Sequence, residues 1–356
     1  MPIANVLAPD SGAESTSAVM DLPRPYLLFL GEASDRAFAK TAYGLRDWAP
    51  EACLGEFACA SEPWSVGLPA LRPSEARARG GRAVVIGVAN VGGVIRDSWL
   101  AALLEALEAG LDIISGMHGR LADISVLKAA ADRCGRRLID VRTPPGGIPV
   151  ATGRKRTGQR LLTVGTDCAL GKKYTALCLA RAFRGRGVAA DFRATGQTGI
   201  LIAGAGIPID AVVADFVAGA AEMLSPDAAA DHWDIVEGQG SLFHPSYAGV
   251  SLGLLHGSQP DVIVMCHQVG RERILGLEEF ATPEVVEAIE VNLMLARRTN
   301  PGVRCGGVAL NTARLSETEA RGVIAEYGER LGLPVADPIR GGVEFEGLVE
   351  ECLRAG

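Results

Sequence analysis

Residues 161–175 read Leu161-Leu162-Thr163-Val164-Gly165-Thr166-Asp167-Cys168-Ala169-Leu170-Gly171-Lys172-Lys173-Tyr174-Thr175. An apolar strand run enters a glycine-bracketed loop, and a lysine opens an amphipathic helix. That order brings backbone N–H groups and a helix N-terminus together on an anion. It predicts a phosphate cradle formed by Gly165, Thr166, Cys168, Gly171, Lys172, Lys173 and Tyr174. The loop is one residue longer than the plain Gly-x-x-x-x-Gly-Lys-Ser/Thr pattern. Where that pattern puts the hydroxyl that binds Mg²⁺, this chain has Lys173. An ammonium cannot coordinate a metal, so the expectation is a site that grips a diphosphate without a metal and without cleaving it.

Other residues offer proton transfer and anion pairing. Glu237 ends a predicted parallel strand, where ligand sites of α/β sheets form. Asp167, His244 and His267 are the further candidates for moving a proton. Arg193 leads into an expected turn at 195–199, whose Thr195, Gln197 and Thr198 offer donors for a carboxylate. Arg271 and Arg273 hold the equivalent place after the next strand, and Gln239 and Ser241 complete the polar set. Cys168 would be a nucleophile only with a base beside it, and nothing near it in sequence supplies one.

These residues need a scaffold. Strand runs are expected at 26–30, 83–88, 111–114 and 137–141, with helices at 98–109 and 124–133 between them. That alternation predicts a Rossmann-like parallel sheet over residues 25–142, after a disordered leader at 1–24. The Pro/Gly-rich start of 143–160 reads as a linker, with Arg154-Lys155-Arg156 as its solvated basic cluster. Residues 161–356 form the second domain. Its strands are expected at 161–165, 188–193, 233–237, 261–266 and 303–310, its helices at 172–186, 210–224, 283–298 and 316–331. The fold class is α/β, a Rossmann-like parallel sheet followed by a P-loop NTPase-like domain.

Composition narrows the function. The net charge of −7 argues against a nucleic-acid surface. Eight cysteines show no Cys-x-x-Cys pair and no zinc spacing, which points to a reducing compartment. The N-terminus lacks a signal-peptide pattern, and no apolar run is long enough for a membrane span. A cytoplasmic protein is expected, with homo-oligomerisation as the default.

Two resemblances bear on chemistry. The lengthened loop is similar to the Gly-Thr-Asp-x-x-x-Gly-Lys-Thr loop of dethiobiotin synthetase, and Asp234-Ile235-Val236-Glu237-Gly238-Gln239-Gly240 resembles the strand end those enzymes use near magnesium. Nearly the whole chain after residue 25 resembles a family, long labelled only as of unknown function, that includes D-glutamate N-acetyltransferases. The marks are Lys40-Thr41-Ala42, residues 86–93, residues 115–123 (Ser115-Gly116-Met117-His118-Gly119-Arg120-Leu121-Ala122-Asp123), the loop, residues 191–199, residues 237–245, Leu252 to Gly257 and Cys266-His267. This resemblance implies transfer of an acetyl group from acetyl-coenzyme A to the amine of D-glutamate. Coenzyme A carries an adenosine diphosphate moiety, which suits a cradle that leaves its ligand intact. An ATP- and magnesium-dependent ligase or kinase acting on a small carboxylic acid is the alternative, and a nucleotide-dependent assembly switch the third reading.

Overall fold

The computed structural model describes residues 22–36, 38–60, 64–88 and 91–354. Residues 1–21 of the expected leader, and Ala89 and Asn90 of the family marks, lie outside the described residues. The chain divides into two compact units, the first built mainly from the residues up to Pro144 together with Gln197–Pro208, the second from Pro145–Gly196 and Ile209 onward.

In the first unit the elements are β1 (Tyr26–Phe29), α1 (Lys40–Trp48), β2 (Cys53–Phe57), α2 (Pro73–Ala78), β3 (Ala83–Ile86), α3 (Leu100–Glu108), β4 (Asp112–Ser115), α4 (Ser125–Cys134) and β5 (Leu138–Asp140). The strands lie in the order β2-β1-β3-β4-β5, all parallel. β1 and β3 are buried along their whole length, as continuous apolar runs in a parallel sheet must be. Arg24, counted with the leader, is ordered: its Nη2 donates to the carbonyls of Leu201 and Ile202 at 2.9 Å.

The second unit begins with β6 (Gln159–Gly165), α5 (Lys172–Gly185) and β7 (Ala190–Arg193). After β7 comes α6 (Gln197–Ala203), which groups with the first unit. Then follow α7 (Val217–Leu224), β8 (Trp233–Val236), α8 (Ala248–Ser258) and β9 (Val262–Gln268). A hairpin of β10 (Arg273–Ile274) and β11 (Leu277–Ala281) leads to α9 (Val285–Ala296), β12 (Arg304–Asn311), α10 (Glu317–Leu331), β13 (Val335–Ala336) and α11 (Gly342–Leu353). The parallel sheet has the order β13-β12-β9-β6-β8-β7. β6 therefore stands at its centre, and the connections leaving β6 and β9 run to opposite sides. Open α/β sheets form their ligand crevice at such a reversal, outside the carboxyl ends of the strands.

Several expectations are corrected. The turn foreseen at 195–199 is interrupted at Gln197, where α6 starts. The helix expected at 210–224 begins as two short 3-10 turns and is regular only from Val217. α8 was not foreseen, because it is apolar around most of its circumference and has three glycines. Two of those glycines have a packing role: a Cβ on Gly257 would lie 2.2 Å from the Ala218 carbonyl oxygen of α7, and one on Gly253 2.6 Å from Val217 Cγ1. The basic cluster is solvated only in part: Arg154 and Lys155 are exposed, with surface pairs to Asp227 and Asp261 at 2.8 Å, whereas Arg156 is buried and donates to the Gly257 carbonyl at 2.7 Å. α10 opens as foreseen, with the reciprocal Ser316–Glu319 capping box. No helix among the described residues is long and apolar enough to cross a membrane.

Candidate functional site

β6 delivers the chain to the crevice at Gly165, and Thr166 N–H extends the ladder by donating to the Cys266 carbonyl at 3.2 Å. Ala169 then turns back at φ 54°, one of two non-glycine residues in the left-handed region among those described, and Gly171 follows at φ 118°. This turn makes the concave backbone on which anions sit. The first intrahelical bond beyond it is Thr175 N–H to Gly171 O at 2.9 Å, so the N–H groups before Thr175 lie ahead of the helix's own bonding pattern. Asn311, at the end of β12, ties the loop down by donating to the Leu170 carbonyl at 3.2 Å.

Lys172 is buried beneath the loop, with Nζ donating to the Asp167 carbonyl at 2.7 Å. Burial pushes its pKa down, opposed by the thiols of Cys168 and Cys266. Lys173 follows it at the second helical position, with its ammonium 4.9 Å from the ring centre of Tyr174.

Asp167 is fully buried, and its carboxylate holds the loop. Oδ1 accepts Cys168 N–H at 2.6 Å; Oδ2 accepts Arg271 Nη1 at 2.9 Å and Leu275 N–H at 2.8 Å. Arg271 also donates to the Cys168 carbonyl at 2.8 Å and to Gln268 Oε1 at 2.5 Å. These two residues, read from sequence as a base and a substrate clamp, form one buried brace between the loop and the β9 end. Arg193 is likewise engaged: its Nε donates to Asp234 Oδ1 at 2.7 Å, and its Nη2 lies 3.3 Å from Asp191.

Glu237 follows β8 and sits in the crevice, 4% exposed. Its Oε2 accepts the backbone N–H groups of Thr195 at 3.0 Å and Gly196 at 3.1 Å. Burial raises its pKa above the ordinary carboxylate value, opposed first by the charge of Lys173 and then by those two N–H bonds. A buried carboxylate with raised proton affinity beside a cation is the type of group used for proton abstraction. Thr195 Oγ1 donates to the Glu237 carbonyl at 2.6 Å and accepts Gln239 Nε2 at 3.0 Å. Gly238 then passes so close to β6 that a Cβ there would lie 1.7 Å from the Thr163 carbonyl oxygen. Gly238→Ala is expected to cost about 3 kcal/mol or more, lowering Tm by roughly 6 to 12 °C; calorimetric melting of the variant checks this.

His244 is buried, and its Nδ1 accepts Ser246 N–H at 3.2 Å. In the neutral ring that bond places the proton on Nε2, so His244 presents a donor rather than a base. A carboxylate oxygen of Asp167, the Cys168 sulfur and a ring nitrogen of His244 lie within 4.8 Å of one another. Burial pushes the Cys168 thiol up. Ser241 is buried, with its Oγ accepting Phe243 N–H at 3.2 Å. His267 Nδ1 shares a hydrogen bond with Thr166 Oγ1 at 3.0 Å, and its ring stacks on Tyr327 at 6.0 Å.

Burial pushes His267 down to about 4; Glu284 opposes this, and Arg271 and Arg330 add to it. The unfolded chain therefore binds a proton between pH 6.5 and 4 that the folded one refuses, and stability falls as pH falls through that window. The full effect is about 3 kcal/mol at pH 4. His267→Gln is expected to flatten the acid limb of Tm against pH; a variant whose Tm falls as steeply as the parent's between those pH values would contradict it.

The structure thus gathers Gly165 to Lys173, Thr195, Glu237, Gln239, Ser241, His244 and His267 around one set of strand ends. Gln197 and Thr198 instead belong to α6, where Thr198 Oγ1 pairs with Thr41 Oγ1 at 3.1 Å. Asn311 and Gln268 went unnoticed in the sequence; their one signal is their position at the ends of predicted strands.

The central strand, turned loop and lysine-led helix define a P-loop-type α/β protein carrying a second, Rossmann-like unit. Residues 149–345 match the family described as "Domain of unknown function (DUF1611_C) P-loop domain", and residues 53–144 match the "(DUF1611_N) Rossmann-like domain". The chain belongs to the DUF1611 family. A solved DUF1611 family protein from Anabaena variabilis superposes with a TM-score of 0.84 at 32% identity, covering 93% of this chain and 99% of that one. A protein of Tritonibacter scottomollicae named D-glutamate N-acetyltransferase is 48% identical over 318 residues, 89% of this chain and 96% of its own length. A second protein of that name, from a Pseudoalteromonas species, is 45% identical over 325 residues, 91% of this chain and 98% of its own length.

Proposed function

We propose that this protein is an acyltransferase that moves the acetyl group of acetyl-coenzyme A to the amine of D-glutamate. The reaction class and acceptor follow the two relatives that share almost the whole chain. The observation that carries the donor is the pair of ammonium groups at the loop: Lys172 beneath it and Lys173 in place of a metal-binding hydroxyl. Two cations and a concave backbone suit a diphosphate that must be held and not cleaved.

In this reading the diphosphate of the donor rests on the 166–171 backbone, with Lys172 turning from the Asp167 carbonyl to the anion. The ammonium of D-glutamate loses a proton to Glu237, and its free amine attacks the thioester carbonyl. The tetrahedral intermediate collapses as its nitrogen gives up a second proton and the C–S bond breaks, and the departing coenzyme thiolate takes up that proton to leave as the thiol. His244 Nε2–H is the donor offered to the reacting oxygen, since the loop N–H groups are occupied by the diphosphate. Asp167 and Arg271 act only by holding the loop. A cytoplasmic setting accords with eight unpaired thiols.

The test is thiol release from acetyl-coenzyme A by the purified chain, with D-glutamate, L-glutamate or no acceptor. Release that depends on D-glutamate supports the proposal. Acceptor-independent release, or Mg²⁺-dependent ATP turnover with an acid substrate instead, would replace it with a hydrolase or a ligase.

A further inference from the structure

The first unit carries an open cavity of about 180 Å³ where its strand order reverses, beyond the carboxyl ends of β1 and β3. Glu32, Ser34, Phe38, Val88, Arg96 and Trp99 line it. Sheets with this strand order bind ligands at that reversal. None of these residues belongs to the phosphate loop.

The wall is both aromatic and polar. Trp99 is 2% exposed, yet its indole N–H is buried without an acceptor among the described residues. The indole lies directly over Gly31, where a Cβ would stand 3.0 Å from Nε1. The next residue, Glu32, is kept ionised by hydrogen bonds from Ser98 and Arg96, and Arg96 Nη1 donates to its Oε2 at 2.9 Å. Phe38 lies 40% exposed at the mouth.

Size and chemistry select a ligand class. A cavity of roughly 150 Å³ takes a benzene ring, so this one admits a ring system little larger. A carboxylate acceptor on an aromatic wall matches an edge that offers an amino group. Adenine presents that edge, whereas the corresponding edge of guanine offers two acceptors. Phe38 and Val88 supply apolar contact for the ring, and Arg96 supplies a cation for a phosphate at the mouth.

We infer that this cavity is a second nucleotide site, which takes an adenine ring beside Trp99 with Glu32 on its amino edge and Arg96 toward its phosphate. Adenine comes either as a free nucleotide or as the base of a coenzyme, and binding separates the two sources.

The experiment is calorimetric titration of the full-length chain with AMP and, separately, with coenzyme A. Glu32→Gln and Trp99→Phe probe the cavity, and Lys172→Met serves as a loop control. AMP is expected to bind the parent chain and Lys172→Met alike, and at least tenfold more weakly to Glu32→Gln and Trp99→Phe. Glu32 is a surface residue, so its variant remains informative even where Trp99→Phe fails to fold. If AMP competes with coenzyme A and Glu32→Gln weakens both, the ring belongs to the coenzyme. Simultaneous binding identifies a free nucleotide. A parent chain that binds neither probe, or binding that follows Lys172 and ignores Glu32, overturns the inference. Acetyl transfer is not measured here, so failure of the proposed reaction would leave these results readable.

Discussion

Glu237→Gln is expected to lower kcat/KM for acetyl transfer by roughly 10²- to 10⁴-fold, the usual contribution of a positioned general base. The substitution is close to isosteric, and the glutamine carbonyl can still accept the N–H groups of Thr195 and Gly196 that now meet Oε2. What disappears is the ability to take a proton. The parent enzyme should lose activity as pH falls through the raised pKa of Glu237, because the protonated acid is no longer a base. Stability runs the other way. A carboxyl whose folded pKa is raised contributes stability only at low pH and loses it as pH rises through that value. At neutral pH the ionised Glu237 therefore weighs against the fold, and the glutamine variant should melt at the same temperature as the parent or higher. Steady-state kinetics and a thermal melt on the same preparation decide this. Retained activity would remove Glu237 from the chemistry; lost activity with a lowered Tm would make it a structural residue.

Lys172→Met is expected to weaken the acyl donor by roughly 10- to 100-fold, the range of one to two strong hydrogen bonds to a charged group. Methionine keeps most of the buried stem volume. With the ammonium gone, donor KM should rise more than kcat falls, since the diphosphate lies away from the reacting carbon. Lys172→Arg is not expected to rescue it, because a planar guanidinium does not fit a space shaped for a compact ammonium under the loop. Burial lowers the folded pKa of Lys172, so its charge also weighs against the fold at neutral pH, and the variant should lose no stability. Donor titrations with both variants check this, and an unchanged donor KM for Lys172→Met would move the diphosphate elsewhere.

Both predictions share a pattern. Glu237 and Lys172 are buried charges facing one crevice, and each is held there against its own solvation. Asp167 and Arg271, also at the crevice, have one another and the loop backbone as partners. The charges proposed to serve a ligand are left under-compensated, and those that hold the loop are paired.

The amino-acid sequence by itself determined the parallel-sheet architecture and the position of the cradle. Both are local properties: an apolar run makes a buried strand, and glycines next to a lysine-led helix make an anion loop whatever surrounds them. Glu237 was legible for the same reason, as a carboxylate at a strand end. Only the tertiary structure decided which polar side chains remain available for chemistry. Asp167 looked suited to proton transfer and Arg193 and Arg271 to a substrate carboxylate, and partners 41 to 104 residues away engage them. The left-handed Ala169, the helix begun at Gln197 and the glycine face of α8 were hidden likewise. Each is stabilised by contacts distant in sequence, which no propensity or spacing along the chain records.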